Sequence, residues 1–321
     1  MTQARSAEAD RDRASLRRRQ EVLTLPVAPL RRHGFVTPGR PGAMDPGPEA
    51  IGVGPDGTAL AVWRHREAPN RKRVTWHVEG GPRVVASVEV ETDLRVSFVQ
   101  PLPEGRVLLA AARAGHGEAN AEVWTGAGGL ERRAHLGDAI EHLLTTPSGS
   151  VWAGYFDEAM GGSGPEGHGL ARFGSDLTTE WLYPPDAGLP AIFDCYSLNV
   201  AGETAYFCPY TNFHIVSVAG EKVTDWGPSP QRSAHNLLRR GPDVALLTGP
   251  GVEYDVATML RIGRDGQIQR GGRCRVVLPD GIEALGLRYT CRGDELHAFT
   301  RSAWYRIDLD SLSAAAGRDT A

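Results

Sequence analysis

Asp194 opens a segment that is otherwise apolar, with Ile192 and Phe193 before it and Leu198 and Val200 after it, and His235 holds the matching place one repeat later. A carboxylate in apolar surroundings needs a partner. An imidazole beside it would make a general base with its orienting group, or two ligands of a metal ion. The alternative is that each side chain bonds to backbone where two elements meet. A second group lies in GYFDEAMGGSGPEGHG, Gly154 to Gly169, which joins Tyr155, Asp157 and Glu158 to a Gly-rich tip and returns through His168. Glycines there allow backbone conformations closed to other residues, so the loop is either a lid carrying carboxylates or a surface insertion. Asp157, Glu158, His168, Asp194 and His235 are therefore the candidate catalytic residues.

Several chemistries are excluded by what surrounds these residues. No GK[ST] follows the glycines, so the loop is no phosphate cradle. Ser163 has Pro165 where a nucleophile elbow needs its final Gly. Glu49, Glu141, Asp157, Asp194, His235, Asn236 and Glu283 offer enough oxygen and imidazole ligands for a divalent cation, but none has EF-hand or HExxH spacing, so the sequence names no cofactor and leaves a divalent cation open. Cys195, Cys208, Cys274 and Cys291 form no CxxC pair and read as small hydrophobes within strands.

The elements that must position these groups repeat. EAIGVGPDGTALAVW from Glu49, SFVQPLPEGRVLLAA from Ser97, EHLLTTPSGSVWAGY from Glu141, DCYSLNVAGETAYFC from Asp194, SAHNLLRRGPDVALLTG from Ser233 and EALGLRYTCRGDELHAF from Glu283 each hold two strand-length apolar runs around a turn. A second hairpin follows most copies. Four strands at a period of roughly 40–50 residues is the pattern of a β-propeller blade. The last copy has three strands, ending in AWYRIDLDSL from Ala303, and the region Val22 to Val36 offers an unpaired apolar stretch (Val22, Leu23, Leu25, Val27, Leu30) to supply the fourth. The expected fold is all-β: a single β-propeller of six four-stranded blades closed by an N-terminal strand. A tandem β-sandwich or a seven-bladed ring is the alternative.

In a propeller the first strands line the central channel, and the loops leading into them share a face with the loops between second and third strands. That face gathers Glu49, Ser97, Asp138, Glu141, His142, Asp194, Tyr196, His235, Asn236 and Glu283 from the first set. The second set adds His65, Arg113, His116, Tyr155, Asp157, Glu158, His168, Asn212, His214, Tyr254, Asp255 and Arg301. Of these, Tyr155, Glu141, His142, Tyr196, Asn212, His214, Asn236, Tyr254, Asp255, Glu283 and Arg301 are the expected ligand-binding residues.

Composition bounds the rest. The chain has 321 residues with no Pro/Ser-rich linker between repeats, so one propeller domain is expected over 21–312. Residues 1–20 are charged and read as a disordered or short helical tail, and 313–321 as a disordered tail. Neither a secretory apolar run nor a membrane-length segment occurs, which points to a cytoplasmic monomer with no membrane partner. A formal charge of −4 gives no global attraction to nucleic acid. Arg71, Lys72 and Arg73, like Arg17, Arg18 and Arg19, read as solvated surface. Lys72 and Lys222 are the only lysines, an Arg bias expected of a GC-rich bacterial genome.

The segments GYFDEAM and DCYSLNV resemble an uncharacterised bacterial group of propeller proteins with GYFDEG-like and DCYxLNV-like segments, with Ala159 where that pattern has Gly. The resemblance implies the fold and the importance of the third and fourth repeats, and no activity. The chain departs from gluconolactonase-type lactonases, with PEAIGVGP in place of an EGPxW-like opening, and from WD40 scaffolds, since Gly167-His168 does not recur. The expected function is a ligand- or protein-binding module whose polar channel mouth takes a small molecule, peptide or protein. The alternative is a hydrolase, lyase or isomerase using the Asp157, Glu158, His168, Asp194 and His235 region, with or without a divalent metal.

Overall fold

The computed structural model describes residues 2–40, 42–184 and 188–317, and among them nearly all regular structure is β. After a helix α1 (Thr2–Leu23) and two short strands, β1 (Val27–Pro29) and β2 (Arg31–Phe35), the chain forms successive antiparallel groups. These are β3 (Ala50–Val53), β4 (Ala59–Arg64), β5 (Arg71–His77), β6 (Ala86–Glu91); β7 (Phe98–Leu102), β8 (Arg106–Ala110), β9 (Ala121–Trp124), β10 (Leu130–Ala134); and β11 (Ile140–Thr145), β12 (Val151–Tyr155), β13 (Leu170–Phe173), β14 (Thr179–Leu182). Then come β15 (Asp194–Ala201), β16 (Thr204–Tyr210), β17 (His214–Ala219), β18 (Lys222–Pro228), followed by β19 (Ala234–Arg240), β20 (Asp243–Thr248), β21 (Val256–Ile262) and β22 (Ile268–Val277). The last group is β23 (Arg288–Arg292), β24 (Glu295–Phe299) and β25 (Ala303–Asp308), before helix α2 (Leu309–Ala316).

Local chemistry sets each hairpin. Between β3 and β4, Gly57 N donates to Gly54 O at 3.1 Å, Asp56 accepts from Thr58 N at 3.0 Å, and Gly57 sits at φ 80°, where a side chain would be strained. The strands that follow alternate poorly because both of their faces are covered. β4 is buried along five successive residues, Ala59–Trp63.

Packing between groups is sequential. The first strands lie side by side: β3 against β7, β7 against β11, β11 against β15, β15 against β19, β19 against β23, and β23 against β3. Among the described residues each apolar cluster fills the gap between one group and the next. Val62 and Leu60 pack on Val99 and Leu109, for example, and Leu198 and Phe207 on Trp152. The cluster of Trp63, Val53, Phe299 and Trp304 packs the last group on the first. The result is an all-β, propeller-like architecture. No described helix is long and apolar enough to cross a membrane.

The fourth strand of the last group does come from the N-terminal region, but from Arg31–Phe35 and not from the apolar stretch before it: β2 runs antiparallel to β25. That stretch does three other things. Val22 lies in the last turn of α1, Ala28 and Leu30 enter the core beside α2, and β1 adds to β22 in parallel as a fifth strand. The Thr2–Leu23 segment is helical because it lacks Gly and Pro and is rich in Ala, Arg and Glu. Being polar all round, such a helix depends on contacts outside itself. Helix α2 carries the fold past residue 312: Asp308 caps it by accepting from Ser311 N at 2.7 Å, and Leu309, Leu312 and Ala315 are buried. Met1 and residues 318–321 of the two expected tails lie outside the described residues. Lys72 is not solvated surface either. It is buried and donates to both Glu49 oxygens at 2.9 Å.

Candidate functional site

The first strands of all the groups converge on a cavity of about 300 Å³, lined by Ile51, Gln100, His142, Leu198, His235 and Tyr289 among others. Its floor is a polar hub. Arg292 is buried at the end of β23 and donates through Nε to Val53 O at 2.7 Å, through Nη1 to Thr145 O at 2.7 Å, and through Nη2 to Gln100 Oε1. Asn199 continues the hub, donating to Leu237 O at 2.8 Å and Gly293 O at 2.7 Å while accepting from Gly293 N at 2.9 Å. Burial pulls the Arg292 pKa down to about 9, so the guanidinium remains charged at neutral pH, held by neutral acceptors. Sequence reading passed over Gln100, Thr145, Asn199 and Arg292. The available signal was a polar residue set inside each apolar first strand.

At the mouth, three carboxyl groups share one wall. The Asp194 pKa is pushed up to about 6, by burial first and then by Glu141 and Asp157. Among the described residues none of the three makes a side-chain hydrogen bond or ion pair. Glu141 lines the cavity with His142, His235 and Asn236. Burial holds the His142 and His235 pKa values below the usual imidazole range, so both rings are neutral at pH 7. His142 Nε2 lies 3.2 Å from Tyr196 O.

His235 does not hydrogen-bond Asp194. It stacks on Tyr196 with ring centroids 4.6 Å apart, and Gly249 leaves the room its ring needs, since a Cβ there would fall 1.8 Å from Cδ2. Of the two readings of this pair, the Asp194–His235 dyad is therefore not formed. Tyr196 also stacks on Tyr210 at 5.4 Å and packs against Phe213, giving an aromatic shelf beside Asp194. Across from it, Arg95 and Arg288, with Arg64 paired to Asp45 at 2.8 Å and Glu49 beside them, line a hollow of about 680 Å³ that shares Ile51 and Ser97 with the cavity.

The remaining candidates are placed elsewhere. Glu158 is exposed and pairs with Arg113, which also binds Asp138 at 3.0 Å. His168 Nδ1 is 2.9 Å from Tyr183 O, and the buried Tyr155 hydroxyl donates to Leu136 O. His214 pairs with Asp225 at 2.9 Å, Asn212 is exposed in a turn, and Arg301 lies over Gly47. Glu49 is bound by Lys72, and His65 pairs with Glu89 at 2.9 Å. The Gly154–Gly169 loop forms two short 3-10 turns, Asp157–Ala159 and Pro165–His168. It contributes Asp157 to the mouth and lends Glu158 to a surface ion pair.

Tyr254, Asp255 and Glu283 are tied to the N-terminal helix. Arg19 makes a two-pronged contact with Asp255 at 2.6 and 3.1 Å, bonds Glu283 at 2.7 Å and the Tyr254 hydroxyl at 2.9 Å, and stacks 4.6 Å over the Tyr254 ring. Arg275 binds Asp255 from the other side at 2.8 Å. Arg18 and Arg273 share Glu253 at 2.6 and 2.8 Å. Arg18 and Arg19 are thus anchors and not a solvated tail. No group of three or more His, Cys, Asp or Glu among the described residues is placed to hold a metal ion.

Fold and cavity together define an all-β, propeller-like protein with a polar central cup. No protein-family model and no curated protein matches the chain. Among solved structures it is similar to Hsv2 from Kluyveromyces lactis, at 11% identity over 82% of this chain and 73% of that one, with a TM-score of 0.47. A functionally unknown protein from Desulfotomaculum acetoxidans gives 12% identity over 79% and 84%, with a TM-score of 0.47. A luciferin-regenerating enzyme gives 13% over 83% and 92%, with a TM-score of 0.44.

Proposed function

We propose that the chain closes as a six-bladed propeller, with β2 completing the last blade, and works as a binding module whose mouth takes an organic cation: the ammonium or guanidinium of a small molecule or peptide. Closure is supported by the cyclic contacts of the first strands and by the Trp63–Trp304 cluster. The observation that carries the ligand class is the unmatched wall of Glu141, Asp157 and Asp194. Carboxylates brought together without a counterion favour whatever supplies positive charge, and the exposed Tyr210 ring at the end of the stack suits a cation. The neutral His142 and His235 add no charge of their own.

Titration calorimetry with arginine and choline, against succinate as an anionic control, tests this. The cations bind and succinate does not. Affinity falls about tenfold in Asp194→Asn, the scale of one charge-assisted contact. It also falls as pH drops through about 6, where Asp194 takes up its proton. Absence of cation binding at pH 8, or equal affinity in the Asn variant, would overturn the reading.

A second reading rests on the same Asp194 carboxyl. Titrating near 6 at the mouth, it is poised for general acid or base catalysis. That reading requires a chemical change in a bound ligand, which product analysis after incubation would detect.

A further inference from the structure

The hollow of about 680 Å³ beside the cavity takes Arg95 from the loop before β7 and Arg288 from the start of β23. Asp45 and Glu49, the carboxylates that line it, are already matched. Asp45 accepts from Arg64 Nε at 2.8 Å, and Glu49 accepts from Lys72 at 2.9 Å on each oxygen and from Val96 N at 2.9 Å. Among the described residues Arg95 and Arg288 therefore have no carboxylate partner, and Arg288 Nη1 only donates to the backbone oxygen of Glu49 at 3.4 Å. Their positions are nevertheless fixed from below. The buried Lys72 also donates to Leu94 O, so its ion pair with Glu49 holds the backbone on both sides of Arg95. Thr92 Oγ1 adds to this by accepting from Leu94 N at 3.1 Å.

Two unmatched sets of opposite charge thus open on adjoining space. Ile51 and Ser97 line both the hollow and the cavity, and Glu141 lines the cavity. The sets do not pair with each other: no ion pair joins Arg95 or Arg288 to Glu141, Asp157 or Asp194 among the described residues. A cation alone leaves the arginines unmatched, and an anion alone brings its charge towards the carboxylates of the mouth. A molecule carrying both charges meets both sets. Guanidinium forks fit the paired oxygens of a carboxylate or a phosphate. At the junction, Ser97 Oγ accepts from Ala112 N at 3.1 Å, which leaves its hydroxyl proton to donate. Both volumes lie in the range of small-molecule sites. Resting on the cation reading of the mouth and extending it, we propose that the ligand is a zwitterion: its ammonium or guanidinium lies on Glu141, Asp157 and Asp194, and an oxyanion joined to it lies on Arg95 and Arg288.

Titration calorimetry of the full chain at pH 8 tests this with pairs that differ only in the oxyanion: arginine against agmatine, which is arginine without its carboxylate, and phosphocholine against choline. Net charge and the oxyanion contacts pull in opposite directions here, because the acidic wall alone favours the more positive member, agmatine or choline. At least one of arginine and phosphocholine binds about tenfold more tightly than its partner, the scale of a charge-assisted contact, and the pair that shows it separates a carboxylate from a phosphate. That preference is lost in Arg288→Gln and in Arg95→Gln, both changes of exposed side chains. If agmatine and choline bind and neither oxyanion raises affinity, the zwitterion is overturned while the cation reading stands. A preference that survives both substitutions overturns it as well. Absence of binding by all four molecules overturns both readings together.

Discussion

Two groups of carboxylates face the same end of the molecule and differ in how their charge is met. On the fifth and sixth groups of strands, Asp255, Glu283 and Glu253 are matched by Arg18, Arg19, Arg273 and Arg275. On the third and fourth, Glu141, Asp157 and Asp194 have no counterion among the described residues. The pKa values record the difference. Hydrogen bonds from Tyr254 and Arg19 hold Glu283 below the usual carboxylate range, while burial and like charge lift Asp194 to about 6. The first arrangement is finished within the chain, and Arg19 stacked over Tyr254 shows what finishing it requires: a guanidinium on an aromatic face. The second has the carboxylates and the aromatic face without the guanidinium.

Substitutions should separate the two groups by sign as well as size. Asp255→Ala strands Arg19 and Arg275 around an emptied buried position and is expected to cost about 3–5 kcal/mol, read as a large fall in the urea midpoint. A loss below about 1 kcal/mol would mean that the matched group is surface electrostatics only. Asp194→Asn should do the opposite and stabilise the unliganded protein by about 1 kcal/mol at pH 7, after allowance for solvent screening. Because the folded pKa lies above the unfolded one, the favourable contribution of protonated Asp194 is complete below about 4 and is lost as pH rises through about 6. The variant's advantage should therefore vanish at pH 4, and an advantage unchanged by pH would refute the electrostatic account. The smallest effect belongs to Tyr254→Phe. Losing the hydroxyl between Arg19 and Glu283 should cost about 0.5–1.5 kcal/mol in thermal unfolding, and an unaltered stability would assign Arg19 docking to its carboxylates alone.

Most of the architecture was legible in the sequence, because the Gly- and Pro-bearing turns and apolar runs are local signals. EAIGVGPDGTALAVW became β3 and β4 with its turn where expected, and the other copies followed suit. The mouth was legible in part. Glu141, His142, Tyr196, His235 and Asn236 are there because first-strand positions share a channel, whichever groups the strands belong to. That His235 stacks on Tyr196 and does not bond Asp194 was not legible, since it depends on where the rings of neighbouring strands meet. Nor was the docking of Arg19, in which a charged segment was read without the buried Asp255 that lies 236 residues away.

The adjacent strands β1 and β2 pair with different partners: β1 with β22, and β2 with β25. Val27–Pro29 therefore has no sheet to join until the chain as far as Val277 has been made, and Arg31–Phe35 none until Asp308. A ribosome delivering this protein releases its early strands long before their partners exist, leaving Arg31–Phe35 and the open edge of β3–β6 to wait exposed. Non-local pairing of this kind makes the last step of assembly the slow one, and the step most open to pairing with another molecule.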